Sequence, residues 1–298
     1  MNCKSLRFKA ADALLILMII FPIVFGMALH VLTTPASNGI ELTGARIYLT
    51  LKMPFQDLTI TEAQVNSWLV IISIFAICLF FTHGLKIREC SKRQYIAEWI
   101  VEKTEALVKE NMGEYFSSFA PFIAAMLALS AFSSLISLFG LYPPTSDLNI
   151  VAGWAILVFV LITYYKFKCG PVHYLKSFSK PVAFLTPINI ISEVSTPFSM
   201  AFRHYGNILS STVISVLVAA GLQGLSSMLL GWLPGIIGEI PFLQIGIPAV
   251  LSIYFDVFSG CLQAYIFSTL TMLYIAGAFP TEDYAKHKLK KKKIAANK

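Results

Sequence analysis

The run INIISEVSTPFSMAFRHYGNILSSTVISVLVA, Ile188 to Ala219, decides how this chain is read. It is mostly apolar, yet it carries Arg203 near its middle. A guanidinium cannot shed its proton to enter hydrocarbon. Even on lenient insertion scales, one at a helix centre costs about 2.5–3.5 kcal/mol. A charge kept there against that cost points to function. At helical period, Thr196, Ser199, Asn207 and Ser210 stand at −7, −4, +4 and +7 from Arg203, which brings them to its face. Glu193 lies about 80° around the same helix. Pro197 is expected to loosen or kink the early part.

Outward from that helix, composition sets the class. Of 298 residues 56% are hydrophobic and 13% charged, with a mean hydropathy of +0.71. Soluble domains carry roughly 25% charged residues. The chain therefore reads as an all-α polytopic membrane protein, one membrane domain over residues 1–298. Six apolar stretches stand out, at about Leu14–Leu32, Val65–Phe81, Phe119–Leu141, Ile150–Tyr165, Ile188–Ala219 and Ile247–Ala278. The reading is five to six transmembrane helices, depending on the fate of the first. Residues 1–33 are either a retained apolar helix or a secretory signal segment; the long apolar run and the lack of a clean A-x-A site favour the helix. The last two stretches exceed the ~20 residues needed to cross. They are expected to be strongly tilted, or to run partly in the membrane plane.

Positive charge orients the bundle. Lys86, Arg88, Lys92 and Arg93 follow the second stretch, and Lys166, Lys168, Lys176 and Lys180 follow the fourth. A basic tail over 280–298 follows the sixth. The loops after the third and fifth stretches lack Lys and Arg. Both ends are thus expected in the cytoplasm. This topology accounts for the net charge of +7 without nucleic acid. Residues 94–110 interleave Ile96, Ile100, Leu107 and Val108 with six charges. They read as an amphipathic helix on the cytoplasmic interface, with a solvated loop helix as the alternative.

The sixth stretch answers the fifth. Ser252, Asp256, Ser259 and Gln263 share a face at α-helical period. A hairpin over 188–278 that packs seam on seam would line Asp256, Gln263 and Asn207 along a hydrated path, with Arg203 beside it. Other roles are open to these residues. Serine and threonine often bond the previous turn, Asn207 and Gln263 can be interhelical glue, and Arg203 with Asp256 can form a structural ion pair. The five cysteines form no C-x-x-C pair and the histidines show no ligand spacing, so no metal site is signalled. No nucleotide or cofactor motif is present.

Two runs in order and spacing carry a resemblance. Pro187-Ile-Asn-Ile-Ile-Ser-Glu193 with Pro197-Phe-Ser-Met-Ala-Phe-Arg203-His-Tyr-Gly206-Asn207 resembles the arginine-bearing helix of subunit a of the bacterial F-type ATP synthase. Phe255-Asp256 with Leu262-Gln263-Ala264-Tyr265-Ile266-Phe267 and Leu270-Thr271-Met272-Leu273-Tyr274 is similar to its last helix, and Pro144–Asn149 to the loop before its fourth. The likeness covers about Tyr115 to Ala278.

The resemblance implies a non-catalytic, ion-translocating stator subunit in the bacterial plasma membrane. Its partners would be a ring of c subunits, a b-type peripheral stalk and lipid. It would supply two half-channels for H⁺ or Na⁺, with the last two helices packed as a hairpin against the ring. Arg203 matches the family's essential arginine. Asn207 and Gln263 are expected beside it, Asp256 in the external half-channel, and Glu193 at the cytoplasmic exit. Ser199 shares the arginine's face. His204 stands where the family is usually apolar, and it reads either as structure or as a member of the proton path. Thr212 stands where some members carry a glutamate.

Physics supports the arginine's role independently. A carboxylate meeting a fixed guanidinium within ~4–6 Å has its pKa lowered and releases its ion. Two other classes compete. A transporter or channel would use Arg203 to bind an anionic substrate, but no matching second polar seam appears in residues 1–150. An intramembrane enzyme would use Asp256 and His204, but no nucleophile or metal motif accompanies them.

Overall fold

Long runs of Leu, Ile, Val, Phe and Ala leave the backbone one way to satisfy its hydrogen bonds in lipid, which is to coil on itself. The computed structural model describes residues 10–33, 44–54, 57–85, 91–169, 184, 186–230, 246–248, 250–251 and 253–279. Six helical runs in it are long and apolar enough to cross a membrane. Helices α1 (Ala10–Thr33) and α2 (Glu62–Thr82) are the first two. Helix α3 (Lys92–Met112) is the charged one. Helix α4 (Ala120–Leu135) has a 3₁₀ turn at each end, and α5 (Leu148–Cys169) follows. Helix α6 (Thr186–Leu230) is 45 residues long and continues through Pro197 without a break. A π-helical segment, Ile253–Ser259, leads into α7 (Gly260–Ala278). Lys86, Arg88, Lys176, Lys180, Ser252 and the tail over 280–298 lie outside the described residues.

Between α1 and α2 the strand residues are mostly β-branched (Ile47, Thr50, Thr59, Ile60, Thr61), with leucines and Tyr48 between them. Strands β1 (Ile47–Leu51) and β2 (Leu58–Thr61) pair antiparallel, Leu49 opposite Ile60 and Leu51 opposite Leu58. A register irregularity falls between Ile47 and Leu49.

The chain divides into two compact units. The first comprises Met1–Trp99, Ala128–Asp147 and Tyr205–Ala264. In it α1 packs on α2. Gly26 permits the approach, since a Cβ there would lie 2.9 Å from Leu69 Cδ1 and 3.2 Å from Leu141 Cδ1. Two side-chain contacts pin α1. Asp12 accepts from Arg93 Nη1 at 2.7 Å, and His30 Nδ1 lies 2.7 Å from Glu62 Oε1. The Arg93 guanidinium also covers the Phe80 ring at 4.2 Å, a cation–π contact that spreads its charge. Gly260 sits against Ser134, where a Cβ would fall 2.6 Å from the serine Cβ. In lipid, hydrocarbon does not drive helices together, so small residues that let backbones approach do much of the holding.

The second unit comprises Ile100–Leu127, Leu148–His204 and Tyr265–Lys298. Its core is aromatic. Phe116 meets Tyr165 edge-on at 5.3 Å and Phe279 at 6.0 Å, and Tyr115 stacks on Phe279 at 5.1 Å. Val158, Ile162, Met200, Met272 and Ile275 complete it. Such edge-to-face pairs contribute about 0.5–1.5 kcal/mol each beyond area burial. Gly113, at φ 80°, makes the turn from α3 into this core, a conformation that side chains with a Cβ resist.

Candidate ion path

Arg203 is exposed on α6, and among the described residues no carboxylate lies in ion-pair contact with it. Ser199 and Ser210, on the same helical face, are exposed too, as are Phe198 and Phe202. Arg203 thus stands on an exposed, largely apolar flank of α6.

In the first unit a cavity of about 210 Å³ is lined by Asp256 and by Ser134, Ser137, Ser211, Thr212 and Ser215. Four of these hydroxyls already donate to their own segments. Ser134 bonds the Ser130 carbonyl at 3.2 Å and Ser137 that of Ser134 at 2.8 Å. Ser211 bonds the carbonyl of Asn207 at 2.8 Å and Thr212 that of Ile208 at 3.0 Å. With their protons engaged, these oxygens are left as acceptors. The cavity thus offers hydroxyls and one carboxylate among apolar neighbours, Pro143, Ile208, Val216 and Phe255, with room for several waters. It suits a proton on water or a small cation.

Above this wall the π-helical segment matters. A π turn shifts the register of every residue before it, and such turns are frequent at functional sites. The α-helical wheel that put Asp256, Ser259 and Gln263 on one face therefore does not hold through Ile253–Ser259. Asp256 lines the cavity, Ser259 bonds Asn207, and Gln263 is buried. Asn207 Nδ2 donates to Ser259 Oγ at 3.0 Å.

The second unit holds another cavity, of about 230 Å³, lined by Lys166, Glu193 and Thr196 among apolar neighbours that include Phe159, Ile162 and Tyr274. Lys166 Nζ donates to Glu193 Oε1 at 2.7 Å. Both side chains are partly buried. In the same unit His204 is fully buried, edge-on to Trp154 at 6.0 Å and to Phe267 at 5.4 Å. It lines neither cavity.

Sequence reasoning had missed several of these groups. Ser211 and Ser215 continue an i, i+4, i+8 series from Asn207, a signal that was available, and they face the cavity where Ser210 does not. Ser134 and Ser137 belong to a series Ser130, Ser133, Ser134, Ser137 at 0, +3, +4 and +7, a helical-period signal that the sequence does offer. Lys166 gave no sign that it would meet Glu193, 27 residues on.

Comparison with known proteins agrees with this architecture. The family model described as "ATP synthase A chain" matches residues 64–276. The "ATP synthase subunit a" of Legionella pneumophila (strain Philadelphia 1) is 29% identical over 228 residues, 76% of this chain and 90% of that protein. The "ATP synthase subunit a 1" of Crocosphaera subtropica is 30% identical, over 74% of this chain and 88% of its own length. The "ATP synthase subunit a" of Macrococcus caseolyticus is 31% identical, over 68% and 83%. With nearly three-quarters of its length inside the matched region, the chain belongs to the ATP synthase A chain family.

Proposed function

We propose that this chain is the stationary ion-conducting subunit of a rotary ATP synthase in a bacterial plasma membrane, making no chemical bonds itself. A ring of c subunits would pass the exposed face of α6, and a b-type stalk would hold the chain still. Each ring carboxylate, neutral in lipid, would release its ion on meeting Arg203, because a nearby fixed cation lowers a carboxylate's pKa. The serine-lined cavity with Asp256 would serve as the external half-channel. The Lys166–Glu193 cavity would serve as the cytoplasmic one. Asn207, held by Ser259, and Gln263 would line the approach to the arginine, with Ser199 on the rotor-facing side. His204 would be a packing residue rather than a proton carrier, given its aromatic surroundings. Helix α3 would lie on the cytoplasmic interface.

The observation that carries this reading is the exposure of Arg203 without an internal carboxylate partner among the described residues. A charge kept for fold stability would be paired and enclosed. The test has two arms. Cysteines at Ser199 and Ser210 should cross-link to cysteines on the carboxylate-bearing helix of the ring. Arg203→Ala should abolish ion-driven ATP synthesis while the complex still assembles. No cross-link in an assembled complex, or coupled synthesis that survives Arg203→Ala, would overturn the reading.

A further inference from the structure

A second carboxylate in the first unit belongs to neither the Asp256 cavity nor the rotor-facing flank. Glu62 opens α2 and is 2% exposed. Its Oε1 lies 2.7 Å from His30 Nδ1, and the His30 side chain is 31% exposed. One partner is partly exposed and the other enclosed. Both precede residue 64, where the match to the family model begins.

The surroundings connect the pair to the ion path. One turn after Glu62, the buried Asn66 donates from Nδ2 to the Tyr142 carbonyl at 2.8 Å. Tyr142 adjoins Pro143, which lines the Asp256 cavity together with Ser137. Burial first, then Asp147, Tyr205 and Glu62 as negative neighbours, raise the Tyr142 phenol above its ordinary range. Tyr48, which bonds Thr33, and Arg46, whose carbonyl accepts from Glu62 N–H at 2.7 Å, are further titratable or charged groups near Glu62 among the described residues. The charge pattern of the loops puts this end of α1 and α2 outside, the same side as the loop bearing Tyr142.

We propose that His30 and Glu62 form a proton-collecting pair at the outer mouth of the path, upstream of Asp256. The inference rests on the ion-path reading above. Imidazole is the side chain whose ordinary titration spans physiological pH. A proton from external water adds at Nε2 while Nδ1–H passes its proton to Glu62 Oε1. This leaves a neutral ring in the other tautomer and a neutral carboxyl. The carboxyl then gives its proton to water of the cavity side, and the ring regains its first tautomer by exchange with external water. No charge is left behind in the wall. The bland alternative is a clamp that holds α1, as Asp12–Arg93 does.

The test is potential-driven passive proton conduction through the complete complex in vesicles, with external pH varied between about 5 and 8. His30→Gln, which keeps a donor for Glu62, and Glu62→Gln should each slow conduction roughly tenfold or more. Both should flatten its pH dependence, and Glu62→Asp should restore most of it. Asp12→Asn, which breaks only the other clamp, should leave the profile unchanged. The proposal falls if the two variants conduct at the original rate and profile, if they lose rate equally at every pH, or if Asp12→Asn reproduces their effect. It also falls if the unaltered complex shows no titration in this range or conducts Na⁺ alone, readings that need no variant to assemble. Arg203→Ala in the same vesicles separates the cases. Synthesis that persists there rejects the ion path as a whole, whereas its loss beside an unaltered His30 and Glu62 profile rejects only the pair.

Discussion

Asn207 and Ser259 hold each other across two segments, Asn207 Nδ2 to Ser259 Oγ at 3.0 Å, with the hydroxyl also 3.3 Å from Oδ1. This bond ties the π-helical segment to α6 one turn after Arg203. It fixes which way the amide faces, and therefore what an arriving carboxylate would meet. Ser259→Ala should lower ion-driven ATP synthesis several-fold, and Ser259→Thr should retain most of it. A neutral–neutral bond is worth about 0.5–1.5 kcal/mol net, so assembly should survive. Synthesis rates normalised to the amount of complex in the membrane decide this.

Asp256 is the one carboxylate among the residues lining the hydroxyl-rich cavity. Asp256→Asn keeps its size and removes the proton acceptor. Passive ion conduction should fall by about tenfold or more. Asp256→Glu should conserve part of the rate. Thr212→Glu should restore part of it in the Asn background, because Thr212 faces the same space. Unchanged conduction in Asp256→Asn would remove this cavity from the path.

Lys166 and Glu193 form a partly buried pair in a mostly apolar cavity. Removing one partner strands the other, which costs more than removing both. Lys166→Met and Glu193→Gln alone should each lower the thermal stability of the complex more than the double variant does. A double-mutant cycle on synthesis rate and thermal stability of the complex measures the coupling. Strict additivity would show that the pair is incidental.

Gly260 meets Ser134 with no space for a side chain. Gly260→Ala should force the two segments apart and destabilise the first unit by about 1–3 kcal/mol, the usual cost of overpacking. Ser134→Gly should relieve it. Complex yield and thermal stability of both variants test the contact. Rescue in the double variant identifies sterics, rather than loss of the serine hydroxyl, as the cause.

The six spans were legible because hydrocarbon imposes a length and a composition that single stretches display on their own. Arg203 was legible because its cost in lipid needs no partner to be noticed. What escaped was set by pairs of segments. The π segment Ile-Tyr-Phe-Asp-Val-Phe-Ser, 253–259, holds no glycine or proline to announce a changed period. A regular α-helical wheel therefore does not describe that segment. Ser210 and Ser211 differ by one position, yet only contact with neighbouring segments decides which of them faces the cavity. The short β1–β2 hairpin, with its bulge-like irregularity, fell in a stretch too brief to read against the long apolar runs around it.

Helix α6 has 45 residues, a contour of about 67 Å at 1.5 Å per residue. A bilayer's oily layer is only ~30 Å thick. A helix this long is expected to tilt or to run partly in the membrane plane, and tilt is a low-cost response when the layer thickens or thins. Acyl-chain length would then re-aim the guanidinium relative to whatever glides past it. Turnover in lipids of graded chain length becomes a property written into the dimensions of one helix.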